Sequence, residues 1–253
     1  MELAEPQLLD ALAALLGALG VLVFVLLRLV GSPYGRYAPP GALCPVPARL
    51  AWALQELPAL AVPLCLCARA ERLHCWPNRL LLAMFLVHYA HRCLVYPLLI
   101  RGGKPSPLYL CLVAFLFCTC NGYLQSRYLS RYAVYADDWV TDPRFLAGSA
   151  LWLAGMLINI HSDHILRCLR KPGETGYRIP RGGLFELVTA ANYFGELVEW
   201  GGFALASWSV QAGVFVFFTC CNLVPRAQAH HQWYLEKFED YPKFRKIIIP
   251  YLF

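Results

Sequence analysis

Residues 146–158 read LAGSALWLAGMLI, and residues 159–171 continue NIHSDHILRCLRK. The first half is apolar enough for lipid, while the second packs Asn, His, Asp and Arg onto the same helix. Two questions follow from that junction: whether the chain spans a membrane, and what the polar end holds.

Composition answers the first. Of the 253 residues, 58% are hydrophobic and only 15% charged, with a mean hydropathy of +0.47, whereas globular domains carry about a quarter charged residues. Crossing a ~30 Å hydrocarbon core takes roughly 20 mostly apolar residues in a helix. Windows of that kind recur at 8–30, 50–67, 80–100, 108–128, 145–166, 184–208 and 210–224. They do not alternate apolar and polar residues, which excludes a transmembrane barrel. The chain therefore reads as an all-α, polytopic membrane protein with seven transmembrane helices. Acidic Glu2, Glu5 and Asp10 stand where a signal peptide would be basic, and no small-residue cleavage site follows, so the first span reads as a permanent anchor.

Lys and Arg set the orientation, because cytosolic loops are enriched in them. With a lumenal N-terminus, the inward segments hold 15 basic residues and the outward loops six. The C-terminus is then cytosolic. The net charge of +6 belongs to that face and is not a nucleic-acid footprint. Breaks at 34–47, 101–107, 135–144 and 171–183 are rich in Pro, Gly or charge. No repeat appears and no soluble domain fits between spans, so residues 1–253 read as a single integral-membrane domain. Most of the 11 Cys lie inside spans, no CxxC occurs, and CxC pairs on a helix point apart. Buried thiols acting as small apolar residues are expected, with disulfide or metal chemistry as the alternative.

Ionisable groups inside spans are expensive and face inward. Gln55 and Glu56 immediately precede Leu57 and Pro58 in the second span, and the third contains His88, Tyr89, His91 and Arg92. The sixth places Asn192, Glu196 and Glu199 at i, i+4 and i+7, within about 40° on one helix face. Hydrogen-bonded helix glue explains one isolated group, but it does not require so many carboxylates; a shared internal site does. In the opening stretch Asn159 and Asp163 share a face, with His161 between them, and Arg167, Arg170 and Lys171 continue toward the cytosolic mouth. Tyr177, Arg178 and Arg181 follow in the loop. Arg226, His230 and Tyr234 recur at i, i+4 and i+8 in the tail, and Arg245 lies beyond.

Such a ring of Arg, His and Tyr suits a ligand with several phosphates and an adenine to stack on. Anionic lipid head groups are the alternative for the arginines. Neither His161, Asp163 and His164 nor His230 and His231 shows metal-site spacing, so no metal is expected. No GxGxxG follows a strand, which excludes a Rossmann site. A seven-span receptor or transporter is the non-enzymatic alternative, although the polar set lies at the cytosolic end and no duplicated halves mark a transporter.

The blocks QELP (55–58), HYAHRC (88–93), RGGKP (101–105), FCTCNGYLQSRYL (117–129), YADDWVTDPRF (135–145), GMLINIHSDHILR (155–167), LRKPGETGYRIPRGGLFE (169–186), ANYFGELVEW (191–200) and FEDYPKFRKIIIPYLF (238–253) closely resemble the steroid 5α-reductase family. RGGKP and YADDWVTDPRF are most like its type 1 branch. The resemblance implies an enzyme of the endoplasmic reticulum membrane, or of the inner membrane in a bacterium. It would use NADPH to reduce the Δ4 double bond of 3-oxo-Δ4 steroids such as testosterone and progesterone. A related membrane reductase acting on a polyprenal, sterol or fatty enoyl substrate is the alternative, and a membrane methyltransferase using S-adenosylmethionine a more distant one. A monomer is expected, with the steroid entering from lipid.

Residue by residue, the resemblance places Glu56 on the family's catalytic glutamate, with Gln55 beside it, and Tyr89 on its catalytic tyrosine. Asn159, His161, Asp163, Arg170, Tyr177, Arg178, Asn192, Glu196, Arg226, His230, Tyr234 and Arg245 fall on positions that bind or support NADPH. Trp52 and Trp200 fall on aromatics near the steroid or nicotinamide. Ile100 and Val113 stand where type 2 members have Asn and Arg, which bears on steroid preference.

Overall fold

Proline and glycine punctuate the apolar sequence into helices. The computed structural model describes residues 4–32, 35–37, 44–68, 70–170, 174 and 176–253. In order come α1 (Glu5–Leu29), α2 (Ala48–Cys67), α3 (Trp76–Ala90), α4 (Tyr96–Leu99), α5 (Leu108–Arg127), α6 (Pro143–Cys168), α7 (Ala191–Ser207) and α8 (Val210–Lys237). A single π-helical turn, His91–Val95, joins α3 to α4. It lies directly ahead of Pro97, which has no N–H to offer the preceding turn. Six helical stretches are long and apolar enough to cross a membrane: α1, α2, Trp76–Leu99, Leu108–Tyr132, α6 and α8.

Two elements differ from the sequence expectation. The apolar run at 184–208 becomes α-helix only from Ala191, after a short 3₁₀ turn at Gly183–Glu186, leaving α7 with 17 residues. Residues before it are claimed by the C-terminal segment. Lys246 N donates to Leu187 O (2.9 Å), Thr189 N to Lys246 O (2.9 Å) and Ala190 N to Ile247 O (3.1 Å). The basic, aromatic end of the chain thus folds back onto the helices. The last span and the polar tail are one 28-residue helix, α8, which continues through Pro225.

Lipid tails are as apolar as leucine, so close helix pairs in a membrane depend on small residues that let backbones touch. Gly148 and Gly155 of α6 face Gly195 and Gly202 of α7, each pair spaced by two helical turns. A Cβ on Gly155 would collide with the Glu199 backbone, and one on Gly195 with the Asn159 backbone. In the same way α5 packs on α2 at Gly122, where a Cβ would lie 3.1 Å from Ala59 Cα. Buried aromatics fill the centre, with Trp200 4.5 Å from Phe215 and 5.7 Å from Phe203 by ring centroids.

The connecting segments gather at two ends. At one, strand β1 (Pro45–Val46) pairs antiparallel with β2 (Ser106–Pro107), and Arg36 meets Tyr177 and Trp233. At the other, Glu5 accepts from Tyr123 (2.9 Å) and Arg127 Nη2 (2.9 Å), and Arg131 joins Glu71 at 3.4 Å. Segments that the charge pattern puts on one side therefore contact one another. Asp142 caps α6 at the second end. Its carboxylate accepts the Arg144 side chain (2.9 Å) and backbone N–H (2.8 Å), which hold its pKa down to about 2. A depressed carboxyl stabilises the fold above its ordinary range, so this contribution fades only as pH falls from about 4 toward 2.

Candidate active site

The glycine seam presses the polar faces of α6 and α7 together. Asn159 Nδ2 donates to the Asn192 carbonyl (2.9 Å), and Asn192 Nδ2 donates to Asp163 Oδ1 (3.3 Å). Asp163 Oδ2 accepts from Arg92 at 2.9 Å. Asn159, Asp163 and Arg92 are all buried, and removing one member of such an ion pair costs about 3–5 kcal/mol because the other charge is stranded. The Arg92 guanidinium also lies 4.7 Å from the Trp52 ring and 4.4 Å from Tyr96, which ties α2 and α4 to the network. Half-buried Glu196 is within electrostatic reach of Arg92 and His88. Glu199 turns elsewhere: it is fully buried and pairs with His88 Nδ1 at 2.7 Å.

Tyr89 sits in an aromatic wall, with ring centroids 4.7 Å from Phe85, 5.0 Å from His88 and 5.9 Å from Trp200. Only 3% of Tyr89 and 1% of Trp200 is exposed. Glu56 is half-buried on α2 beside Gln55, close enough to Tyr89 to interact electrostatically. The Cys118 thiol of α5 donates weakly to Glu56 Oε2 at 3.8 Å. Ile100 is buried, while Val113 is 61% exposed on α5.

At the end of the bundle that holds β1 and β2, Arg36 stacks over Trp233 (4.4 Å), Tyr234 (4.9 Å) and Tyr177 (5.3 Å). His230 lies between the hydroxyls of Tyr37 (2.9 Å) and Tyr193 (3.3 Å). A cavity of about 120 Å³ opens here, lined by Arg36, Asn192, Tyr193, His230 and Tyr234. Arg226 is half-buried on the same helix as His230. Arg170 and Arg178 are exposed, reaching the Gly176 carbonyl (3.4 Å) and Glu174 (2.7 Å) respectively. His161 is exposed beside Gly183, and Lys171 lies outside the described residues. Arg245 has a different setting. It is buried and donates to the Pro180 carbonyl (2.9 Å) and Glu186 (3.4 Å), bracing the loop from behind. The Gly182 N–H, at 2.6 Å, and the nearby Arg245 and Arg181 hold the Glu186 carboxyl below its ordinary range.

Arg36, Tyr37, Tyr193 and Cys118 escape the sequence reading. Arg36 and Tyr37 come from a Pro- and Gly-rich break without periodicity; the only signal was that this loop shares a side with the tail. The donor set fits a phosphorylated cofactor with an aromatic base. Among the described residues, Arg36 Nη1 and Arg167 Nη1 are buried donors without acceptors, each costing about 1–3 kcal/mol until one is supplied.

Residues 104–253 match the family model described as 3-oxo-5-alpha-steroid 4-dehydrogenase. The chain is 72% identical to 3-oxo-5-alpha-steroid 4-dehydrogenase 1 of Bos taurus over the whole of both chains. It is 69% identical to the Homo sapiens protein of that name, across 99% of this chain and 97% of the relative. Identity to 3-oxo-5-alpha-steroid 4-dehydrogenase 2 of Homo sapiens is 51%, across 95% of each. At these identities and coverages the chain belongs to the 3-oxo-5-alpha-steroid 4-dehydrogenase family, the steroid 5α-reductases.

Proposed function

We propose that this enzyme reduces the Δ4 double bond of 3-oxo-Δ4 steroids, testosterone and progesterone among them, with NADPH. It works as a monomer in the endoplasmic reticulum membrane, the N-terminus lumenal, the C-terminus cytosolic and α7 the seventh span. The observation that carries this reading is a line of polar groups through the bundle. It runs from Tyr89 and Glu56, set among buried aromatics, through Arg92, Asp163, Asn192 and Asn159 to the Arg36, His230 and Tyr234 mouth.

An enone accepts hydride at its β carbon most readily when its carbonyl oxygen is polarised. Tyr89 donates to the steroid C3 oxygen, and Glu56 hydrogen-bonds the same group or the tyrosine, with Gln55 alongside. Donors preorganised in a dry site meet the negative charge that develops on that oxygen. Trp52 and Trp200 bracket the steroid, and a proton reaches C4 from solvent or a bound water. NADPH, when bound, supplies the hydride. Asn159, Asp163, Asn192 and Glu196 orient its reactive end, while His161, Arg170, Tyr177, Arg178, Arg226, His230 and Tyr234 hold phosphates and adenine, with Arg245 in support. The steroid arrives from lipid, in contact with apolar faces such as Leu112, Leu116, Leu153 and Leu157, each more than half exposed.

Purified protein given NADPH and progesterone should lose NADPH absorbance in step with formation of the 5α-dihydro steroid. Reduction of a polyprenal or enoyl thioester in preference to any steroid overturns the substrate assignment. Arg178→Ala should raise the KM for NADPH roughly three- to tenfold, the scale of one exposed charge–phosphate contact. The steroid KM should stay unchanged, and a shift in it alone contradicts the placement of this arginine.

A further inference from the structure

Helix α5 forms a wall of the site that the reading above leaves without a task. Asn78 Nδ2 of α3 donates to the Leu129 carbonyl, just beyond α5, at 2.8 Å. From that point the two helices run antiparallel, so three turns along α3 bring Tyr89 level with residues 118–121 of α5. Cys118 and Asn121 accordingly stand beside the Tyr89 side chain. Asn121 has no exposed surface, and its amide cannot flip freely. Its Oδ1 accepts from Gln125 Nε2 (3.2 Å), and the same Gln125 nitrogen is pinned by the Gln211 carbonyl at 2.8 Å. The orientation so fixed turns Asn121 Nδ2, a buried donor with no other acceptor among the described residues, toward the Tyr89 hydroxyl. A tyrosine hydroxyl has one proton to give and lone pairs to receive.

We infer that Asn121 is a positioning residue for Tyr89, its Nδ2 donating to the tyrosine oxygen while the tyrosine proton is given to the substrate carbonyl. Donation from behind turns the hydroxyl proton toward the substrate and stabilises the partial negative charge that Tyr89 takes on as the carbonyl oxygen charges. The Gln125 and Gln211 contacts keep the amide from turning away. This inference rests on the reading of Tyr89 as the carbonyl donor.

A double-mutant cycle on the full-length protein tests it, with progesterone and NADPH as probes. Asn121→Leu should lower kcat roughly tenfold, the loss expected of one neutral hydrogen bond, with the steroid KM and NADPH affinity unchanged. In a Tyr89→Phe background, where no hydroxyl remains to be aimed, the same substitution should change kcat less than about twofold. Asn121→Asp, which keeps the size but replaces the amide N–H with an acceptor, should reproduce the kcat loss and serves if the leucine protein does not fold. Equal losses in both backgrounds, a loss confined to KM or NADPH affinity, or full activity of Asn121→Asp overturns the inference. Should Tyr89→Phe itself turn over normally, the fault lies with the assignment of Tyr89.

Discussion

Tyr89→Phe is expected to lower kcat for a 3-oxo-Δ4 steroid by roughly 100- to 1,000-fold, the cost of removing one preorganised donor from a developing oxyanion. The reason lies in its surroundings. Tyr89 is 3% exposed among Phe85, His88 and Trp200, so water cannot readily replace the lost hydroxyl, and the low dielectric makes each remaining dipole count for more. Phenylalanine keeps the ring contacts, so the protein should still fold. NADPH binding should also survive, because the Asn159, Asp163 and Asn192 network involves no atom of Tyr89. Glu56→Gln should reduce turnover in the same direction, since the amide retains the shape but not the carboxyl group. Normal turnover in both variants would remove the two residues from the chemistry.

Gly195→Ala should cost stability out of proportion to the single methyl it adds. The new Cβ would press on the Asn159 backbone of α6, so α6 and α7 must separate, and overpacking of this kind costs roughly 1–3 kcal/mol. Separation also stretches the bond from Asn159 to the Asn192 carbonyl, now 2.9 Å, so NADPH affinity should fall together with thermal stability. Gly201→Ala is the control on the same helix. Nothing lies within 4 Å of its added Cβ, and alanine is the better helix former by about 1 kcal/mol. Its stability should be unchanged or higher. Equal sensitivity at both positions would mean that glycine serves helix flexibility rather than the close seam.

How much of this was legible depends on whether spacing along one helix decides the matter. The apolar-to-polar junction of α6, and the shared face of Asn159 and Asp163, follow from helical periodicity and appear in the fold as expected. Glu199 shows the limit. Its spacing from Asn192 and Glu196 sets its face, yet its partner His88 depends on how α7 is rotated against α3, and no periodicity encodes that. The start of α7 was misplaced because an apolar run looks alike in a helix and in a link; the backbone groups of 187–190 are bound by residues 246 and 247, far along the chain. Arg36 was invisible for a similar reason, since its aromatic neighbours come from distant segments. Asn121 and Gln125, four apart in an apolar span, carried a readable signal as buried polar groups. The steroid itself was legible only through the resemblance of the motif blocks, because polar groups at helical spacing do not specify a ligand.

The most direct test uses NADPH labelled with deuterium at the transferable position of the nicotinamide ring and progesterone as acceptor, with the product analysed by mass spectrometry and NMR. One deuterium bound at steroid C5 in the α configuration, and none at C4, is expected when the wild-type protein turns over in ordinary water. Label at C4, or a saturated steroid without label, would contradict hydride delivery to the β carbon of a polarised enone.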